Sequence, residues 1–402
     1  MLNIESPTPQ KPFALLNLGF RPFFLLAASF GAISMLLWFI IYSTGHTALL
    51  NPAFPSLWWH GHEMVFGYAM AVSAGFLLTA VRNWTGHATP QGIPLAILAL
   101  LWLCARLLPF SMMEHALHWM ALADLLFMLG LVVAIVIPIV RAKQWQQMPI
   151  VLKIALMGAS NALFYAALLG YSPAQTLSWG LYAGLYLILS LIMMMGRRVI
   201  PFFIERGVAD APVTLKNYKW LDISSLFLFL GFMLVEVFTP YSLLSQLLAA
   251  CLFILHSIRL WGWYHFGIWS KPLLWILYLG YGFIVLGFAL HALGSLLSIS
   301  PWVALHAFAA GGIGLITSGM MSRIALGHTG RNVQQPPSAI RFIFIALIAG
   351  AIFRVILPLV LPASLYGISI ATAQLCWVLG FSLFVVIYAP ILFQPRIDQR
   401  FG

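Results

Sequence analysis

Apolar runs of roughly twenty residues, broken by short polar connections, recur from one end of the chain to the other. A helix needs about 20 apolar residues to cross a bilayer. The pattern predicts twelve spans, at 22–43, 58–81, 93–110, 116–140, 150–170, 175–196, 220–239, 242–261, 272–293, 301–322, 339–360 and 364–393. The last is long enough to tilt or to continue past the membrane. Connections are short apart from a loop at 197–219, so residues 1–402 read as one integral membrane domain of the all-α class.

Composition agrees. Hydrophobic residues make up 62% of the chain and charged residues 7%, against roughly 25% charged in a soluble domain. The net charge of +11 does not point to nucleic acid, because the Lys and Arg residues stand singly in connections. They report topology instead. With the N-terminus inside, 18 of the 20 basic residues fall on inner segments, and only Arg106 and Arg354 fall outward. This asymmetry predicts an even span count with both termini cytoplasmic. Residues 1–20 are polar and Pro-punctuated, which predicts no signal peptide. Cys104, Cys251 and Cys376 lie in separate apolar runs without CxxC spacing, and read as small core residues.

Against this background one stretch stands out. Trp58-Trp59-His60-Gly61-His62-Glu63-Met64 opens the second span, and ionisable groups in such a segment mark a functional site by default. His306 lies five residues into the tenth span. Both spans run from outside to inside, so His60, His62 and His306 share the outer third, at depths within about one helical turn (5.4 Å). Gly67 and Gly75 follow His62 by five and thirteen residues, and Gly311 and Gly319 follow His306 by the same intervals. Small residues permit close approach of another backbone or of a flat ligand.

Several stretches also carry a resemblance. Phe20-Arg21-Pro22-Phe23-Phe24, Trp59 to Met64, Asn83-Trp84-Thr85-Gly86, Gly196-Arg197-Arg198-Val199-Ile200-Pro201-Phe202, and His306 through Arg323 to Gly327-His328-Thr329-Gly330-Arg331 resemble the NnrS family. The resemblance runs from about residue 15 to 395. It implies a haem- and copper-containing protein of the bacterial inner membrane, linked to nitric oxide metabolism and nitrosative stress. It also implies a histidine where this chain has Tyr278, which counts against a ligand there. Twelve spans with ligands on spans 2 and 10 are similar to the catalytic subunit of haem–copper oxidases and nitric oxide reductases. This chain has no histidine in spans 6 and 7, where that superfamily places its copper or non-haem ligands.

Imidazole is a common axial ligand of haem iron and a good ligand for copper. Residues i and i+2 of a regular helix point about 200° apart, so His60 and His62 face two different sites. One pairs with His306 across a b-type haem, while the other faces copper, a second haem or water. The alternative is an interfacial belt for His60 and His62 and a packing hydrogen bond for His306. His328, beside Arg323 and Arg331 at the inner end, belongs either to a second metal site or to a loop-ordering hydrogen bond. His115 and His118, near Met112 and Met113, read as interfacial residues, with an outer copper site the alternative. His46, His87, His256, His265 and His291 receive no role. Glu63, Asp124 and Glu236 are candidate proton relays, the alternative being structural hydrogen bonds. Arg106 and Arg354 are candidate partners of haem propionates, the alternative being snorkelling.

The expected function is binding of nitric oxide and its reduction to N2O, with electrons from an unknown donor. The competing expectations are NO or metal handling without turnover, and a twelve-span transporter with midplane sites on broken helices.

Overall fold

The structure is a computed structural model that describes residues 13–208 and 213–402. The signal-peptide expectation for residues 1–20 and the inner placement of Lys11 fall mostly or wholly outside the described residues. Twelve helices are long and apolar enough to cross a membrane: α1 Phe20–Thr44, α2 Ser56–Thr85, α3 Ile93–Phe110, α4 Ala116–Arg141, α5 Trp145–Leu168, α6 Gln175–Gly207, α7 Lys219–Phe238, α8 Leu243–Gly262, α9 Pro272–Ala292, α10 Pro301–His328, α11 Ile340–Leu359 and α12 Ala363–Phe393. No strand occurs among the described residues. Helix is the form that closes every backbone hydrogen bond within one segment in lipid. The twelve expected spans are all present. The largest boundary difference is at residues 197–207, expected as loop, which continue α6 as helix; α10 likewise runs six residues past its expected end at 322.

Local chemistry sets the ends. Gly45 and Gly86 follow α1 and α2 with φ of 72° and 71°, and return their N–H groups to Ile41 and Arg82. Only glycine adopts that left-handed conformation without strain. Pro272 and Pro301 open α9 and α10, where a missing N–H costs nothing. Beyond α12, the buried Arg21 guanidinium donates to the carbonyls of Leu392 and Gln394 at 2.7 Å each, closing an otherwise open helix end. On the same face, outside the spans, hydrogen bonds from Arg396 hold the Asp398 carboxyl below the usual carboxylate range.

Most helices pack against their chain neighbours, while α2, α6 and α10 also meet one another at the middle of the bundle. In the most apolar window of α2, 83% of residues are buried, and in α10 72%, against 28% in peripheral α8. Tyr68 of α2 and Thr317 of α10 share a 2.7 Å hydrogen bond at this contact. The matched glycines serve close packing: a Cβ on Gly75 would meet Phe24 at 2.8 Å, one on Gly311 Phe283 at 2.3 Å, and one on Gly319 Ile276 at 2.7 Å. They form no empty slot for a flat ligand.

Both central helices widen at the same place. Residues Glu63–Ala69 of α2 and Ala307–Ile313 of α10 are π-helical, each segment starting directly after His62 or His306. A third π segment, Ile352–Ile356 of α11, contains Arg354. Such turns leave carbonyls that need outside donors and are frequent at functional sites. Here Trp102 Nε1 donates to Gly67 O at 3.1 Å, and Ser369 Oγ to Phe353 O at 2.6 Å.

Candidate functional site

Residues Ser56–His62 form a regular α-helical segment ahead of the π turn, and His60 and His62 face in different directions as the spacing requires. His60 turns towards α1, where its ring stacks on Trp38 with centroids 4.5 Å apart and planes 5° apart. Its Nδ1 is buried without a hydrogen-bond partner. His306, half-buried, donates from Nδ1 to Trp302 O at 2.7 Å, which leaves the Nε2 lone pair unengaged by protein. Arg354 lies within electrostatic reach of both imidazoles, and its Nη1 is buried without a hydrogen-bond partner. Tyr42 and Tyr366 stand beside that guanidinium.

His62 turns the other way, into a network sealed from solvent. Its Nδ1 is 3.1 Å from Glu63 Oε1, and its Nε2 is 2.9 Å from Asn161 Oδ1. Asn161 in turn donates from Nδ2 to Asp124 Oδ2 at 2.9 Å, and Tyr165 donates its hydroxyl to the same oxygen at 3.0 Å. Arg106 joins the carboxylates: Nη1 is 3.1 Å from Glu63 Oε2 and Nη2 is 2.8 Å from Asp124 Oδ2. His62, Glu63, Arg106 and Asp124 are each at most 1% exposed.

The donor pattern fixes a proton. Asn161 must present its amide N–H to the Asp124 carboxylate, so its oxygen faces His62 and Nε2 donates. Nδ1 then faces a carboxylate oxygen. Either Nδ1 donates too, giving an imidazolium, or Glu63 is protonated and donates to Nδ1. In both cases one proton beyond those of a neutral imidazole sits between His62 and Glu63. It balances Arg106 and the two carboxylates to zero net charge, the state a buried ionic group requires.

The other expected residues lie apart. Glu236 Oε2 accepts from the Tyr241 backbone N–H at 3.0 Å and sits 3.3 Å from His291 Nε2, forming its own buried pair between α7 and α9. His328 is at the opposite end of α10, with Nε2 3.5 Å from Asn83 Nδ2. Arg106 and Arg354, grouped by their outward position in the sequence, belong to two different clusters. Tyr278 donates its hydroxyl to Leu260 O at 3.1 Å. His115, in the loop before α4, and His118, in the first turn of α4, are exposed, with His118 Nε2 3.1 Å from Tyr171 Oη.

Sequence reasoning missed Trp38, Asn161 and Tyr165, and gave no role to His291. It also passed over His256, whose Nδ1 is hydrogen-bonded with Tyr281 Oη at 2.6 Å inside the bundle. Asn161 carried a signal, an amide in the middle of an apolar span. Trp38 carried none, because an aromatic residue in a membrane helix is ordinary.

Among the described residues, no group of three or more His, Cys, Asp and Glu is arranged to hold a metal ion. The donor set for an iron or copper is therefore imidazole from two helices. His60 and His306 fit it: the first has an orphaned ring nitrogen, the second a free lone pair, and beside them the Arg354 guanidinium, with Nη1 unpartnered and no carboxylate paired to it among the described residues, suits an anionic group. His62 has a partner on each nitrogen.

Twelve apolar spanning helices define a multi-pass helical membrane protein, with a buried histidine–carboxylate cluster where α2, α3, α4 and α5 meet. A family model described as NnrS protein matches residues 14–396. The chain belongs to the NnrS family, and that membership supports a membrane protein in the setting of nitric oxide metabolism. No curated protein sequence matched the chain.

Proposed function

We propose that the chain binds a haem, or copper, through His60 and His306 and receives nitric oxide there, in the inner membrane of a bacterium. The observation that carries this reading is the buried, unpartnered Nδ1 of His60 beside a half-buried His306 with an unengaged nitrogen. Arg354 would face a haem propionate, and Trp38 fixes the plane of His60. The bound group would supply the redox chemistry, two NO with two electrons and two protons giving N2O and water, the electrons coming from a separate donor.

The chain's own residues would hold and deliver the proton. Glu63 is three residues from His60, and the His62–Glu63 pair holds one proton away from water. Arg106 and Asp124 keep that pair neutral and in place. Glu236 with His291 is a second buried proton-holding pair, on the far side of the central helices. Inward-facing termini follow from the distribution of Lys and Arg.

The test is an optical spectrum of purified protein, oxidised, reduced and with NO, with copper analysis of the same sample. A Soret band or bound copper that is lost in His60→Ala and His306→Ala but kept in His62→Ala is the expected outcome. A wild type from a haem- and copper-replete host that holds neither would overturn the reading. Consumption of NO with an electron donor then separates turnover from binding alone, the competing reading within the same site.

A further inference from the structure

Far from the paired histidines, a partly open cavity of about 260 Å³ lies where α2, α6 and α10 end and α5 begins. Three stretches singled out in the sequence converge on it: Asn83-Trp84 from α2, Arg198 from α6 and His328 from α10. Among the described residues, no Asp or Glu lines it. Arg198 is exposed to it and has no ion pair or hydrogen bond with any described residue. Gln147, 7% exposed, also lines it, and its side-chain carbonyl oxygen has no hydrogen-bond partner.

The walls add shape and charge. Trp84, Phe76 and Phe203 give flat apolar faces, and Trp84 is held by a hydrogen bond from Gln144 to its carbonyl. The guanidinium of Arg323 lies over the Phe203 ring at 3.8 Å. Arg82, Arg206 and Arg331 belong to the same end of the bundle and have no ion pair with any described carboxylate, so this end carries a positive field that concentrates anions.

We propose that this cavity binds a small water-soluble organic anion with a planar aromatic body. Its negative group pairs with Arg198, its ring lies against Trp84 and Phe203, and a hydroxyl or amine on it satisfies the Gln147 amide. A guanidinium without a partner among the described residues and a buried amide oxygen without one, on one aromatic-walled cavity, are what such a ligand would complete. This site is separate from the proposed metal site, and none of the variants below touches His60 or His306.

The probe is 2-naphthoate, with uncharged 2-naphthamide as control, by equilibrium dialysis against the full chain in phosphatidylcholine nanodiscs and against empty nanodiscs. Expected is saturable naphthoate binding near one per chain, with much weaker naphthamide binding. Arg198→Gln weakens naphthoate about tenfold or more, the scale of one charge-assisted hydrogen bond, and Arg198→Lys restores part of it. Ala80→Trp, which fills the cavity from another wall, abolishes binding and serves if Arg198→Gln does not fold. Binding that is absent in wild type, equal for the two probes, or unchanged in both Arg198→Gln and Ala80→Trp would overturn the proposal.

Discussion

Arg106 and Asp124 meet inside the bundle with Nη2 2.8 Å from Oδ2, both side chains at most 1% exposed. Asp124 sits on α4 and Arg106 on α3, so the pair staples two helices that the sequence places next to each other. Glu63 brings α2 into the same staple from 3.1 Å. Removing one partner strands charge in a medium that cannot solvate it, at roughly 3–5 kcal/mol. Arg106→Met is therefore expected to lower the unfolding temperature sharply in detergent. Adding Glu63→Gln and Asp124→Asn to that variant should recover much of the loss, whereas additive losses would contradict the charge argument.

The proton between His62 and Glu63 has a spectroscopic consequence. Glu63→Gln preserves the shape and the neutrality of the network, because a neutral His62 then suffices beside one Arg and one Asp. The variant should fold with near wild-type stability. His62→Ala removes the proton's other holder and is expected to leave Glu63 protonated, giving a carboxylic C=O stretch in the infrared that Glu63→Gln abolishes. A His62→Ala spectrum without such a band would mean that the network tolerates a net negative charge.

Gly311 illustrates how tightly α10 packs against α9. A methyl group there would lie 2.3 Å from the Phe283 ring, and overpacking of this kind costs about 1–3 kcal/mol. Gly311→Ala should destabilise the protein, and Phe283→Leu in the same chain should relieve part of the strain. Gly367, with open space around its Cβ position, should accept alanine without that loss. Thermal melts of the three variants in one detergent provide the comparison.

Trp38 tests whether the orientation of His60 matters separately from its presence. Trp38→Leu removes the ring stacked on the imidazole and keeps an apolar contact with the neighbouring helix. The fold is expected to survive, with metal or haem affinity reduced several-fold and the absorption bands shifted. A variant indistinguishable from wild type in both would reduce Trp38 to packing.

The sequence by itself determined the number, length and order of the helices. Lipid offers no partner for an open backbone, so each apolar run of sufficient length becomes a spanning helix whatever its neighbours do. It also drew attention to His60, His62, Glu63 and His306, because ionisable groups are costly in such runs and stand out at once. The regular turn at Ser56–His62 made the divergence of His60 and His62 readable from spacing alone.

Only the tertiary structure decided which groups meet. Arg106 and Arg354 look alike in the sequence, yet one is taken by two carboxylates and the other lies near His60 and His306. His62 and His60 look alike too, yet one has both nitrogens engaged and the other does not. Asn161 and Trp38 gain their meaning from helices α5 and α1 arriving beside α2. In a bundle this apolar, partner choice is set by helix packing and by the π turns that re-aim side chains, and neither is written in hydropathy or charge.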